Sequence, residues 1–350
     1  MHIIEKFDET VFNLFPSNKA IFILSNVIVD IDTGLIFDPE RNQIVWECAN
    51  EALIFNDREP FIDHAGLACS DTRDKIIADR KENAKNYFVD KLQTAQLIDH
   101  ECDFPVLHLL SSTSEYNYGH MFDVLQKIYT LDQITLNNFS VLLSSIRKMH
   151  NIDDHLSALF SEYTPKYYYY NRDNLVKVKT LMFIRPPVRP LHFIPETFDF
   201  LRKKYLNYFN ISDVLAPNLN VFLLREQHLA RSIENMDQLK EFLVANNITV
   251  VTGREPLKEQ IEIFVNAKRV AGTHGALFMN NIFCSKHTHF LELIPKSYVD
   301  KFGADWSPWK YQHKLSKNSY LTDSCADTGM YTDTVVDLDR LLHFYNGSTE

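Results

Sequence analysis

The chain has 350 residues, 45% of them hydrophobic, 23% charged and 13% aromatic. That is ordinary globular composition, and the length exceeds what one hydrophobic core normally fills, so two domains are expected. A net charge of -10 excludes a broad nucleic-acid footprint, which needs a basic face, yet leaves room for a nucleotide diphosphate held by a few local cations.

Cys48, Cys69, Cys102, Cys284 and Cys325 are scattered and odd in number, which speaks against a disulfide framework or structural zinc and for a reducing compartment. No basic start followed by an apolar stretch opens the chain, and no apolar run approaches the ~20 residues that span a bilayer. A cytoplasmic protein without a membrane span is expected.

In chain order, Ile21–Leu24, Val27–Val29 and Ile44–Trp46 read as strands, separated by turn chemistry at Asp32-Thr33-Gly34 and Asp38-Pro39-Glu40. Residues 71–97 alternate charges around Ile76, Ile77, Tyr87, Phe88 and Leu92 and predict a solvated amphipathic helix. From Phe104 the rhythm becomes strand, loop and helix: Phe104–Leu110, the polar loop Ser111–Tyr118, then a helix carrying Met121, Leu125 and Ile128. Val141–Leu143 and Tyr167–Tyr170 read as strands around a helical stretch near Asp154–Phe160. Three prolines in Arg185–Pro190 forbid a helix and mark the linker.

After the linker, helices are expected at Thr197–Tyr205, Asn235–Ala245, Leu257–Asn266 and Ala276–Phe283. Strands are expected at Asn220–Leu224, Ile248–Val251, Arg269–Gly272 and Thr288–Leu293. The expected domains are 1–187, β-rich at its start and then Rossmann-like, and 188–350, a second α/β domain with its last helix available to pack back on the first. Parallel α/β sheets bind ligands at the carboxyl ends of their strands.

Three constellations carry chemistry. In Val270-Ala271-Gly272-Thr273-His274-Gly275-Ala276 a strand runs through two glycines into an apolar helix, whose free N–H groups make an anion site beside His274. Arg225 and Arg231 flank the end of the strand before it and can clamp a diphosphate. In the first half, Glu115, His120 and Asp123 follow a strand; His120 and Asp123, three apart, can share one helix face and take a proton from a hydroxyl. His287 and His289 lack carboxylate partners for a metal, Asp323, Asp327 and Asp333 fit no calcium loop, and Gly253-Arg254-Glu255 reads as a turn.

These stretches, in this order, resemble glycosyltransferase family 61. The resemblance rests on Leu224-Arg225 with Arg231-Ser232-Ile233-Glu234-Asn235, on Glu259-Gln260-Ile261 with Phe264 and Ala267, and on Gly272-Thr273-His274-Gly275-Ala276 with Asn280, Phe283 and Glu292. Asn117-Tyr118-Gly119-His120 with Asp123 is similar to the family's first-half stretch.

The resemblance implies a GT-B fold, with two Rossmann-like domains facing a cleft. It implies an inverting hexosyl- or pentosyltransferase of polysaccharide biosynthesis, taking a UDP-sugar and a glycan acceptor, with no metal and no further cofactor. Arg225 and Arg231 would hold the diphosphate, and His274, Gly275 and Ala276 would complete the anion site. Asn280 belongs to the same donor-binding set. Glu259 would bind ribose or simply fix its helix, and Glu292 would hold the domain together. Asp123 or His120, with Glu115 behind them, would act as base. Leu277-Phe278 departs from the Gly-Leu of many members, and its bulk would narrow the donor pocket. The same sequence also fits a catalytically silent nucleotide-sugar-binding subunit or, using His120 and His274, a phosphate-ester hydrolase.

Overall fold

The computed structural model describes residues 2–4, 20–45, 85–109, 127–129, 131, 138–144, 151–185, 195–224, 233–295, 319–325 and 334–347. The fold is mixed α/β and divides into two units, Met1–Leu191 and His192–Glu350. Among the described residues no helix is long and apolar enough to cross a membrane.

The first unit is built on one nine-stranded sheet. The apolar stretches around Ile21 and Val27 are one long strand, β2 (Ala20–Asp30), preceded by β1 (His2–Ile4). β3 (Ile36–Asp38) returns antiparallel to β2, and β4 (Gln43–Val45) antiparallel to β3. Asp30 shapes the turn between β2 and β3. Its fully buried carboxylate accepts from the Thr33 N–H and hydroxyl and from Tyr87 Oη at 2.9 Å, and pairs with Lys91 Nζ at 3.6 Å. Tyr87 and Lys91 lie on α1 (residues 85–94), so one aspartate ties turn to helix. The helix expected over 71–97 ends at 94 because 96–100 is recruited as β5 (Gln96–His100), parallel to the start of β9 (Asn174–Arg185).

β9 is the strand that the sequence reading lacked, and it is the sheet's centre. β2 runs antiparallel along one side of it. On the other side β5 and then β6 (Val106–Leu107) run parallel, followed outward by β7 (Ser140–Ser144) and β8 (Lys166–Tyr170). Val176 and Val178 are buried while the alternating Lys177 and Lys179 stand exposed, the alternation of a strand with one wet stretch. α2 (Ile152–Leu159) buries Ile152, His155, Leu156 and Leu159.

The second unit has a five-stranded, all-parallel sheet in the order β11, β10, β12, β13, β14. The strands are β10 (Leu219–Leu223), β11 (Thr249–Val251), β12 (Ala267–Thr273), β13 (His289–Pro295) and β14 (Ser319–Cys325). Between them lie α3 (Pro195–Phe209) before β10, α4 (Met236–Ala245), α5 (Leu257–Val265), a 3₁₀ helix over Ala276–Phe283, and finally α6 (Leu338–Asn346). Both faces of such a sheet must be covered, which is why the strands read as apolar runs. Phe222, Ala271, Leu291 and Leu293 form one core with Leu239 and Leu243 of α4 and Leu341, Phe344 and Tyr345 of α6. The right-handed crossover rule puts α5 and the 3₁₀ helix on the opposite face. There Phe264, Phe278 and Phe283 are fully buried, each worth roughly 1.5–3 kcal/mol of burial, and Tyr205 of α3 meets Phe283 edge-on at 5.2 Å. The last helix packs on its own unit's sheet: Tyr345 Oη donates to the Val221 carbonyl at 2.6 Å.

Two expectations follow from these cores. A Cβ on Gly272 would lie 2.6 Å from Leu223 Cβ and 2.8 Å from the Leu223 carbonyl oxygen, so backbone would have to move. Gly272→Ala should cost at least ~1–3 kcal/mol, read as a lower midpoint in denaturant unfolding. His108 and His155 are buried, and desolvation holds both down to about 3, helped for His108 by Lys127. In the unfolded chain they titrate near 6.5. Stability is therefore complete above that value and falls as pH drops toward 3, by about 1.4 kcal/mol per pH unit for each histidine. His155→Leu should flatten the decline between pH 6.5 and 5 by about one proton.

Candidate active site

The second sheet changes direction between β10 and β12. From β10 the chain crosses to β11 on one side, and from β12 it proceeds to β13 on the other. Crevices at such switch points, at the carboxyl ends of the strands, are where open α/β sheets bind ligands. At this switch point the ends of β10 and β12 lie side by side, with Leu223 and Gly272 as register partners. Gly272 is needed for this close approach and not for an unusual backbone angle.

His274 follows directly. Its backbone N–H donates to the Leu293 carbonyl at 2.9 Å, continuing the β12–β13 ladder by one residue. Two residues past Gly272, its side chain returns to the face that carries Glu292, the register partner of Gly272. His274 Nδ1 lies 2.5 Å from Glu292 Oε1. Glu292 is fully buried and His274 is 8% exposed. A carboxylate in such a place needs a partner, and His274 supplies one.

Beyond His274 the surface opens, and Gly275, Ala276 and Leu277 are half-buried. Among the described residues, a Cβ on Gly275 would meet only the Thr273 carbonyl oxygen, at 3.7 Å, so no described neighbour requires glycine there. The empty side-chain position lets another molecule approach the backbone. The helix that opens here is 3₁₀, where the sequence reading expected an ordinary helix, and Phe278 N–H donates to the Gly275 carbonyl at 3.2 Å. A helix start leaves the Ala276 and Leu277 N–H groups without intrahelical acceptors.

The bend is braced from below. Asn280 is fully buried and donates to Gln260 Oε1 at 3.4 Å, while Gln260 Nε2 donates to the Glu255 carbonyl at 2.8 Å. The Glu255 carboxylate accepts from Thr252 N–H, Thr252 Oγ1 and Gly253 N–H at 2.8–2.9 Å, which makes Gly253-Arg254-Glu255 the expected turn. Gly253 has a φ of 84°, and a Cβ there would lie 2.7 Å from Leu277 Cδ2. Leu277 thus leans on the Gly253 turn, and Phe278 is buried in the core. Glu259 stands exposed on the first turn of α5, after the carboxyl end of β11.

Of the predicted site residues, the fold thus joins His274, Gly275 and Ala276 in one bend and sets Asn280 beneath it in the core. Glu115, His120, Asp123, Arg225 and Arg231 lie outside the described residues. Asn235, just past the two arginines in sequence, exchanges two hydrogen bonds with the backbone of Val336 at 2.8 and 2.9 Å and so pins the start of α4. The sequence reading missed Glu292 as the partner of His274. Its signal was a single carboxylate inside the apolar run Phe290–Ile294, which buried strands rarely hold unpaired. Among the described residues no group of three or more His, Cys, Asp or Glu side chains is arranged to hold a metal ion.

No curated protein matches the chain. The family model described as Glycosyltransferase 61 matches residues 117–291, half of the 350 residues, from the stretch before His120 to the middle of β13. The chain belongs to glycosyltransferase family 61.

Proposed function

We propose that this glycosyltransferase is inverting and metal-independent, and that it moves a sugar from a UDP-sugar to a hydroxyl of a glycan acceptor. The observation that carries the reading is the half-buried Gly275–Leu277 backbone, beside a fixed His274, at the switch point of a parallel sheet. A GT-B arrangement of the two α/β units is part of the proposal and rests on the family.

In the reaction, the acceptor oxygen bonds to the anomeric carbon as the bond from that carbon to the phosphate oxygen breaks. The bonding pair leaves with UDP, and the acceptor's proton passes to Asp123 or His120, with Glu115 as the third candidate. Negative charge gathers on the departing diphosphate. Arg225, Arg231, His274 and the N–H groups after Gly275 meet it as fixed donors. Fixed donors of this kind do the work because they need no reorganisation as charge develops, and removal of one costs ~10²–10³ in rate.

A thermal-shift screen of UDP, GDP and CDP, with and without EDTA, tests this. UDP at a hundred times its Kd should stabilise by about 2.7 kcal/mol, seen as a rise of roughly 5–10 °C. That rise should survive EDTA and vanish in Arg231→Ala; a shift seen only with a divalent metal would sink the metal-independent reading. Gly275→Ala provides a second check. Among the described residues nothing comes closer to the added methyl group than 3.7 Å, so the variant should keep the unliganded melting temperature and lose most of the UDP shift.

A further inference from the structure

We propose that Cys102 is a thiol modification site, built to exchange with small peptide-like disulfides and carry one half of them as a mixed disulfide. It stands on the first unit and is independent of the donor reading above.

Cys102 lies in the loop that joins β5 to β6 and is half-buried. Its Sγ is 2.9 Å from Ser140 Oγ and accepts from the Tyr168 hydroxyl at 3.6 Å. The Phe104 N–H is a third donor to the same sulfur. Register gathers these groups: Ser140 opens β7 and pairs with Lys166 of β8, two residues before Tyr168. The exposed Lys166 holds its Nζ 5.0 Å over the Phe104 ring and so sets a positive charge by the thiol. The sulfur thus sits at the amino end of β7, whereas parallel α/β sheets bind their substrates at the carboxyl ends.

Burial raises the Cys102 thiol, but the Ser140, Phe104 and Tyr168 donors and the Lys166 charge outweigh it and hold it below its ordinary value. The phenols move the other way. Tyr168 is raised by its bond to Cys102 and then by burial, and Tyr170 by burial and then by the Cys102 charge. Tyr168 therefore keeps its proton to give to the sulfur. Several donors and a cation around a partly exposed thiolate make a reactive cysteine. Cys284, the other described free cysteine, is buried, and desolvation pushes it well up.

His100 points to an incoming polar molecule. It is 7% exposed, its Nδ1 lies 2.8 Å from Tyr170 Oη, and its ring meets Tyr168 edge-on at 4.5 Å. Its buried Nε2 has no hydrogen-bond partner, a state that buried polar atoms rarely keep. The amide and carboxylate groups of a peptide-like disulfide are partners that this cluster lacks.

In the exchange, the Cys102 thiolate attacks one sulfur of the disulfide. The new S–S bond forms as the old one breaks, and the second half leaves as a thiolate with the electron pair. Cys102 is oxidised and the departing sulfur reduced. The proton that Cys102 first released to water returns to that leaving thiolate.

The test treats full-length protein with glutathione disulfide between about pH 5 and 10, a range that spans the ordinary thiol value. Mass spectrometry of the peptides follows the adduct at each cysteine, in folded protein and in protein unfolded by urea. Cys102 should be modified, and its rate should rise at lower pH in the folded protein than in the unfolded one. Tyr168→Phe and Ser140→Ala, confirmed folded by thermal unfolding, each remove one donor and should move that rise up toward the unfolded position. A folded protein with no adduct at Cys102 overturns the proposal. So does a folded profile that lies no lower than the unfolded one, and these two results need no variant. A folded Tyr168→Phe with the wild-type profile overturns it as well.

Discussion

A carboxylate with no access to water, in the middle of an apolar parallel strand, dictates the shape of the bend beside it. Glu292 can occupy β13 because His274, two residues past the glycine that pairs with it, turns back to meet it at 2.5 Å. That contact, with the His274 N–H bonded to Leu293, carries β12 one residue beyond its end. It therefore fixes where the chain leaves the sheet and where the 3₁₀ helix begins. A buried pair of this kind is weak support for stability, since desolvation offsets much of its attraction. Its value lies in geometry: it leaves one place for the imidazole and one direction for the backbone after it.

Around the pair, each neighbouring feature limits motion. Gly272 lets β10 and β12 approach more closely than any side chain would allow. The hydrogen bonds from Asn280 through Gln260 to Glu255 lock the 3₁₀ helix, α5 and the turn before α5 into one body. Leu277 over Gly253 closes the same joint from outside. These contacts make the bend rigid. Several family-pattern residues, Asn235, Gln260 and Asn280 among them, serve the framework and not the surface.

The first unit meets a different demand. Its central strand β9 is paired on one side by the antiparallel β2 and on the other by the parallel β5 and β6, so an antiparallel beginning is welded to a parallel remainder. Asp30 secures the turn of the antiparallel part to α1. The family match starts at residue 117, inside this unit, and ends in β13 of the other, so family 61 resemblance draws on both.

Most of the second unit was legible in the sequence, because each of its strands is a short apolar run next to a helix with one apolar stripe. Local pattern suffices there, and the Gly-Thr-His-Gly-Ala run announced a bend before its partners were known. The first unit was harder to read. β9, whose Lys177 and Lys179 interrupt an apolar run, becomes a central strand only through pairings with residues up to 165 positions away, such as Ala20 with Arg185. Register between distant strands likewise decided the site: it alone brings Glu292 beside Gly272 and within reach of His274, while Asn280 is buried where its helix meets Gln260 of α5. Local chemistry marked a glycine-bounded bend at a helix start. Only the parallel alignment of β12 and β13 decided which carboxylate would meet the histidine, because proximity across a sheet is set by hydrogen-bond register, which no single stretch of sequence contains.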